Sequence, residues 1–341
     1  MAANSAPDPS TILVVGGCGY IGSHMVRMLR DHGMRPVVVD NLVTGHPDAV
    51  HAAELRRGEI GDREFMRAVL REARPDCVMH FAAASLVGES TRDPGKYWRN
   101  NLVQTLDLVD AMREAGVRQF IFSSTAAVFG NPVETPITET HPRCPINPYG
   151  HSKLAVEYLL QDYDQAHGLR SVSLRYFNAA GAQPDGSLGE RHDPETHLIP
   201  LVLQVASGRR PLIARYGCHH ATPDGSCIRD YIHVQDLCTA HLLALRHLQA
   251  GGASDCFNLG NGRGHSVNEV IAAARRITGH PIPLRDDPPR EGDPPVLVAD
   301  ASRARRELGW SPRYPDLDSI LTHAWQWERQ RHHPPPPDDT P

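Results

Sequence analysis

Up to about residue 180, the apolar positions fall into short β-branched runs separated by longer stretches of helical spacing. The runs Thr11-Ile12-Leu13-Val14-Val15, Pro36-Val37-Val38-Val39, Glu54 to Gly58, Cys77-Val78-Met79-His80-Phe81, Gln119-Phe120-Ile121-Phe122 and Ser171 to Phe177 each read as a strand. Between them, Met25 to His32, Asp62 to Ala73, Tyr97 to Ala115 and the stretch that opens at Tyr149 repeat apolar residues at the interval of a helix face. This alternation predicts an α/β fold built on a parallel sheet. From Asn178 onward the pattern changes, and loops rich in Gly, Pro and His (Gly181 to Pro194, Gly217 to Cys227, Asp286 to Pro295) separate the helices, as in a smaller second domain. The predicted organisation is a disordered leader over 1–10, a first domain over 11–177, a second over 178–331 with some segments returning to the first, and a disordered tail over 332–341. Four consecutive prolines mark that tail.

The first run ends directly in Gly16-Gly17-Cys18-Gly19-Tyr20-Ile21-Gly22, and a helix follows. Strand, glycine turn and helix is the layout of a Rossmann-type doubly wound sheet that binds a dinucleotide. Gly16 permits the tight turn, Gly19 lets backbone approach a pyrophosphate, and Gly22 allows close helix packing. The second run ends at Asp40, where an acid accepts hydrogen bonds from ribose hydroxyls and repels a 2′-phosphate, so NAD is favoured over NADP. Ala82-Ala83-Ala84 after the fourth run fit either a cofactor lying against the backbone or an ordinary turn.

Composition narrows the partners. A net charge of -5 provides no basic field for nucleic acid or anionic lipid. The seven cysteines are odd in number, scattered and nowhere spaced Cys-x-x-Cys, which suits reduced thiols in the cytoplasm. No apolar run approaches the length of a membrane span, and the polar start of the chain has no basic n-region of a signal peptide.

Two groups carry candidate chemistry. Tyr149 and Lys153 are one helical turn apart, so the lysine cation can lie beneath the tyrosine ring and favour its phenolate. An oxidised nicotinamide would be a second cation, which makes Tyr149 a plausible general base in a chain that binds NAD. Ser123-Ser124-Thr125 place hydroxyls at the C-terminal end of a strand, where open α/β sheets bind ligands, although caps and turns use the same residues.

Taken in order, the glycine motif, Ser123-Ser124-Thr125, Tyr149-Gly150-His151-Ser152-Lys153, Arg175-Tyr176-Phe177-Asn178 and Arg229-Asp230-Tyr231-Ile232-His233 resemble the extended short-chain dehydrogenase/reductase family. Val87-Gly88-Glu89-Ser90, Arg290-Glu291-Gly292-Asp293 and Glu307-Leu308-Gly309-Trp310 narrow the resemblance to the branch that epimerises UDP-sugars at C4. It implies a tightly bound, recycled NAD, with Tyr149 as base, Lys153 holding the phenolate and the nicotinamide ribose, and Thr125 on the sugar hydroxyl. The cofactor contacts implied are Gly16, Gly19, Tyr20, Ile21, Gly22, Asp40, Asn41, Glu59, Ile60, Phe81, Ala82, Asn100 and Phe177, besides Tyr149 and Lys153. For the nucleotide sugar they are Asn178, His197, Leu198, Tyr216, Arg229, Arg290, Asp293 and Leu297, with Tyr216 stacked on uracil and the arginines on the diphosphate. Leu297 stands where relatives gate the sugar pocket. A homodimer is implied through the helix from Tyr97 to Ala115 and the one after Tyr149, using Leu102, Leu106, Val109, Leu154, Tyr158 and Leu159.

The chain departs from its relatives at Glu59 (often Asp), Ser85 (often Lys), His197 (often Asn) and Cys218-His219-His220, where no fourth metal ligand is evident and no metal is expected. The activity implied is epimerisation of a UDP-hexose; a UDP-pentose or UDP-N-acetylhexosamine is the alternative substrate. A dehydratase needs acidic residues beside Thr125, and the chain has Ala126 and Ala127. A non-catalytic NAD-binding protein would not require Tyr149, Lys153 and Thr125 together.

Overall fold

The computed structural model describes residues 9–50, 53–290 and 294–332. The leader up to residue 8, Asp293 and the tail from residue 333 lie outside the described residues. In chain order the strands are β1 (Thr11–Val15), β2 (Arg35–Asp40), β3 (Glu54–Arg57), β4 (Cys77–His80), β5 (Gln119–Thr125), β6 (Arg170–Tyr176), β7 (Asn178–Ala180), β8 (Ile213–Tyr216), β9 (Ile228–His233), β10 (Asp255–Leu259), β11 (Gly264–Ser266), β12 (Leu284–Asp287) and β13 (Val296–Leu297). The helices are α1 (Tyr20–Asp31), α2 (Arg63–Ala73), α3 (Val87–Arg92), α4 (Pro94–Tyr97), α5 (Gln104–Ala115), α6 (Pro148–His167), α7 (Leu198–Ala206), α8 (Val234–Gln249), α9 (Val267–Thr278), α10 (Ser302–Glu307) and α11 (Leu317–His332).

Ile12 to Val15 and Val37 to Val39 are fully buried, so β1 and β2 are covered on both faces, which is why they read as unbroken apolar runs rather than alternating ones. Seven strands form one sheet in the order β10-β6-β5-β4-β1-β2-β3, and every pairing from β3 across to β5 is parallel. The order reverses between β1 and β4, where doubly wound sheets bind their ligands.

The chain divides into two compact units whose segments interleave on both sides of residue 177. The first comprises Met1–Ser123, Ala155–Ser173 and Ala244–Asp255; the second comprises Ser124–Leu154, Leu174–Leu243 and Cys256–Pro341. The boundary runs through β5, α6, β6 and α8, because a strand or helix that continues past the sheet carries its end into the next set of contacts. Hydrophobic periodicity follows the element and is blind to that change.

In the first unit the core joins strand residues such as Leu13, Val37, Val78 and Phe120 to helix residues such as Met66, Leu108, Val156 and Leu160. Val109 belongs to this core and Leu154 to an apolar cluster of the second unit, so neither is available to the expected dimer face. Two helix boundaries also differ from the sequence reading. Helix α1 starts at Tyr20, since Gly19 serves as its cap, and the stretch from Tyr97 to Ala115 is interrupted by a π-helical turn at Trp98–Val103. That turn carries Asn100 and Asn101; Asn101 exchanges hydrogen bonds with the backbone of Ala84 at 2.9 and 3.0 Å, which holds the wider turn in place.

The second unit is built on β11-β9-β13, with β7 also on β9, and on the parallel pair β8 and β12. Its core packs Val202, Ile271, Ile320 and Leu321 of α7, α9 and α11 together. None of the described helices is long and apolar enough to cross a membrane.

Buried acids brace this unit. Asp230 accepts backbone N–H groups of Asn261, Gly262 and Ala299 at 2.8–3.2 Å. Asp236 accepts those of Arg313 and Tyr314 at 2.7 and 2.8 Å, while its carbonyl accepts the Trp310 indole at 2.9 Å. The Arg-Asp-Tyr and Leu-Gly-Trp motifs are therefore anchored by structural contacts. Asp236→Ala leaves two part-buried donors without their acceptor and is expected to lower stability by about 1–3 kcal/mol, read from urea unfolding. Asp236→Asn, which keeps one acceptor oxygen, is expected to lose less.

Candidate active site

In the first unit, the end of β1 turns at Gly16, whose φ of +75° is a left-handed value that favours glycine. A Cβ on Gly16 would stand 2.5 Å from the Ala82 nitrogen, so β1 and the end of β4 meet backbone to backbone. A Cβ on Gly22 would strike the Gly16 carbonyl oxygen and lie 2.8 Å from the Gly17 Cα. Gly19 differs from both: its φ of -76° suits any residue, and a Cβ there would meet nothing nearer than the Gly16 oxygen at 3.4 Å. The packing of the protein itself sets no requirement for glycine at 19. Helix α1 begins at this point with no side-chain cap from Gly19 and no acid in its own first turn, and its positive dipole end favours an anion.

Asp40 is buried at the end of β2 and ties the loop together, its two oxygens accepting the backbone N–H groups of Cys18 at 2.9 Å and Leu42 at 2.8 Å. A carboxylate has further lone pairs, so hydroxyl donors can still reach it. Asn41 donates to both oxygens of Glu59 at 3.1 and 3.2 Å, which brings these two predicted residues together at the ends of β2 and β3. Ile60 turns its side chain into the core. Tyr20 and Ile21 form the first turn of α1, Phe81 and Ala82 are half-buried beyond β4, and Asn100 donates to Asn101 at 2.9 Å. Ser85 is exposed before α3.

In the second unit, Thr125 ends β5 and caps a short 3₁₀ turn over Ala126–Phe129. Its oxygen accepts the Ala127 N–H at 3.1 Å, which leaves its own proton to point elsewhere. That proton meets Tyr149, with which Thr125 is hydrogen-bonded. Tyr149 lies in the first turn of α6, capped by Asn147 through a 2.9 Å bond from Gly150 N–H, and Lys153 is buried one turn on. Burial raises the pKa of the Tyr149 phenol and the Thr125 hydrogen bond opposes it. The direction is opposite to the one expected from Lys153, because the unfavourable desolvation of a phenolate dominates. In this state the phenol keeps its proton at neutral pH.

Gly150 had no role in the sequence reading. A Cβ there would stand 2.6 Å from the Ala127 carbonyl oxygen and 2.9 Å from the Pro145 Cβ, so only glycine lets α6 start this close to the turn that holds Thr125.

The predicted nucleotide-sugar residues spread over the second unit. Tyr216, at the end of β8, lies under Arg290, whose guanidinium carbon is 4.1 Å from the ring centroid, a cation–π pair of two predicted residues. Arg229 and Leu297 are register partners on β9 and β13. Arg229 donates to the Ile228 carbonyl at 2.8 Å, and Leu297, like Phe177, packs half-buried against Val128, Phe129, Ile137 and Leu154. Asn178 begins β7 opposite Tyr231, and Leu198 begins α7, half-buried on the core.

His197, the residue before α7, belongs to a group that sequence reading missed. Its Nδ1 is 2.8 Å from Glu190 and 3.2 Å from Glu195, and His192 Nδ1 is 3.1 and 3.7 Å from the same two carboxylates. Burial alone would lower both imidazole pKa values, but the carboxylates outweigh it and raise them to about 9 at His192 and about 10 at His197. Burial conversely raises, and the histidines more strongly lower, the two glutamates, which stay ionised. The signal was the paired Glu-x-His spacing at 190/192 and 195/197.

The profile of the NAD dependent epimerase/dehydratase family matches residues 12–260. UDP-glucose 4-epimerase of Halalkalibacterium halodurans is 50% identical over 322 residues, which cover 94% of this chain and 96% of that one. Among solved structures, UDP-glucose 4-epimerase from Brucella ovis in complex with NAD superposes with a TM-score of 0.91 at 48% identity, covering 94% of this chain and 98% of that one. The enzyme from Bifidobacterium longum in complex with NAD+ and UDP gives 0.90 at 38% identity, over 95% and 99%.

The two glycines of the α1 turn separate packing from binding. Gly22→Ala forces a methyl group between backbone atoms and is expected to lower the stability of the unliganded protein by about 1–3 kcal/mol. Gly19→Ala should change it by less than about 0.5 kcal/mol, as open surface positions do. Thermal unfolding of the two variants, freed of bound nucleotide, makes the comparison.

Proposed function

We propose, for a chain that belongs to the NAD dependent epimerase/dehydratase family, the interconversion of UDP-galactose and UDP-glucose by epimerisation at C4. The observation that carries the chemistry is the Thr125–Tyr149 hydrogen bond beside the buried Lys153, since a phenol in contact with a hydroxyl donor is equipped to move one proton to and from a sugar hydroxyl. NAD fits the glycine cradle of the first unit: Gly16 and Gly22 are required by packing, whereas Gly19 is required only if something approaches the backbone there, and the dipole of α1 favours a phosphate. Bound NAD supplies the oxidising power that removes hydride from C4 and the reducing power that returns it, so none is consumed.

The residues of the chain divide the remaining work. Gly19, Tyr20 and Ile21 present backbone N–H groups to the pyrophosphate, and Asp40, Asn41 and Glu59 face the adenosine half. Tyr149, as the phenolate, accepts the proton of the 4-hydroxyl and gives it back to the same oxygen once the 4-keto sugar has turned over to present the other face of C4. Lys153 stabilises the phenolate form of Tyr149 that precedes proton removal and is restored when the proton is returned, and Thr125 orients the hydroxyl. Because burial raises the Tyr149 pKa, the positive charges of Lys153 and of an oxidised nicotinamide are needed to make it a base, and proton removal is thereby tied to the oxidised cofactor. Arg229 and Arg290 neutralise the diphosphate. Arg290 lies over one face of Tyr216, which leaves the other face for uracil. Ala126 and Ala127 carry no carboxyl group, so elimination of water has no acid or base beside Thr125.

Assembly as a homodimer belongs to the same reading. With Val109 and Leu154 in the core, the exposed apolar side chains of the two candidate helices and the π turn are Trp98, Val103, Leu106 and Tyr158, with Leu102 and Leu159 half-buried. A cytoplasmic location agrees with seven cysteines of which none is in a disulfide.

Purified protein incubated with UDP-galactose and no added NAD should form UDP-glucose; product strictly proportional to added NAD would overturn the resident-cofactor reading. Tyr149→Phe should lower turnover by about 100-fold or more with UDP affinity nearly unchanged. Equal losses in both would make Tyr149 a structural residue. For assembly, sedimentation of the wild type should give twice the chain mass, and Leu106→Glu should shift it toward the monomer.

A further inference from the structure

Outside the proton-transfer and cofactor machinery, the described residues contain one cluster with the composition of a metal site: Glu190, His192, Glu195 and His197. Each offers one ligand atom, and the four atoms lie within 4.8 Å of one another. The nitrogen-to-oxygen separations are 2.8, 3.1, 3.2 and 3.7 Å. A tetrahedral ion with bonds of about 2.0–2.1 Å sets its ligands about 3.3 Å apart, and the four nitrogen-to-oxygen separations fall on either side of that value, the Glu195 carboxylate turning one oxygen to each imidazole. We propose that Glu190, His192, Glu195 and His197 form a structural Zn²⁺ site that fixes segment 190–197 against the start of α7.

Four further features fit that occupant. The carboxylates are almost fully buried, at 5% and 6% side-chain exposure, whereas the imidazoles keep 31% and 43%, so the anions are the groups that most need a counter-charge. Charge balances in either state: two carboxylates are neutralised by two imidazolium ions, or by one Zn²⁺ with two neutral imidazoles after two protons leave. The ligating carboxylate of Glu195 is oriented by backbone N–H groups of Thr196 and His197 at 2.8 and 2.9 Å, as a metal ligand requires of its outer partners. A cavity of about 460 Å³, lined by Glu190, His192 and Glu195 among others, provides a way in.

Two imidazoles select a borderline-soft ion over Mg²⁺ or Ca²⁺, and four protein donors leave no open position, which marks the site as structural. His197 uses Nδ1 here, so its Nε2 remains for the nucleotide sugar; the proposal does not depend on that second role.

The test uses the full-length chain without a histidine tag, produced with zinc in the medium and passed through gel filtration. Elemental analysis should find about one zinc per chain, and X-ray absorption should find four N/O neighbours at about 2.0 Å with no sulfur at about 2.3 Å. Stripping the ion with a chelator should lower the melting temperature by about 3 °C or more, reversed by Zn²⁺ and not by Mg²⁺. His192→Ala and Glu195→Gln should each cut zinc content to below about a tenth of the wild type and abolish that reversal. A sulfur neighbour would assign the zinc to the Cys218-His219-His220 loop and overturn the proposal. So would full zinc content in both variants, or a wild type that holds none and does not respond to added Zn²⁺. If the variants fail to fold, the stoichiometry and ligand set of the wild type still decide it.

Discussion

The close approach of the first turn of α6 to the 3₁₀ turn after β5 is the constraint on which the chemistry of the second unit rests. There is no room for a Cβ between Gly150 and the Ala127 carbonyl oxygen, and that missing atom lets the Tyr149 phenol reach the Thr125 hydroxyl. The same turn commits the other valences of Thr125, because its oxygen accepts the Ala127 N–H and its proton is left for the phenol. One hydrogen bond thus holds the two reacting groups together. What it does not do is make Tyr149 acidic. Burial works against the phenolate, so the base is held in its inactive form until positive charge is supplied.

A comparable logic of missing side chains organises the first unit. At Gly16 and Gly22 backbone presses on backbone, and glycine is demanded by the fold; at Gly19 it is not. A glycine motif is usually read as one signal, but here its members differ: packing demands glycine at two of them and not at the third. Asp40 adds a third element, since its carboxylate holds the loop through the Cys18 and Leu42 amides while keeping lone pairs for a ligand. Structure and binding are therefore not alternative explanations for a residue of this kind.

Buried charge in the second unit is handled in two ways. Asp230 and Asp236 are satisfied by backbone N–H groups and act as fixed braces between distant segments. Glu190 and Glu195 are instead matched by two imidazoles, an arrangement that can exchange protons for an ion without altering its net charge. The first kind of contact is inert; the second has a choice of occupant.

The strand positions up to residue 177, the parallel sheet, the dinucleotide turn and the Tyr149–Lys153 spacing are legible in the amino-acid sequence, because each depends on local spacing: β-branched runs, glycines at fixed offsets, and side chains one helical turn apart, whereas Thr125 joins them only through the family resemblance. The assignment of Ser124–Leu154 to the second unit, the π turn at Trp98–Val103, the buried positions of Val109 and Leu154 and the need for Gly150 depend on which segment packs on which, and period alone carries no such information. The sign of the Tyr149 shift in the unliganded chain is not legible for the same reason. Two charges four residues apart can be read from a sequence, but desolvation is a property of everything packed around the phenol, and only the folded chain decides it.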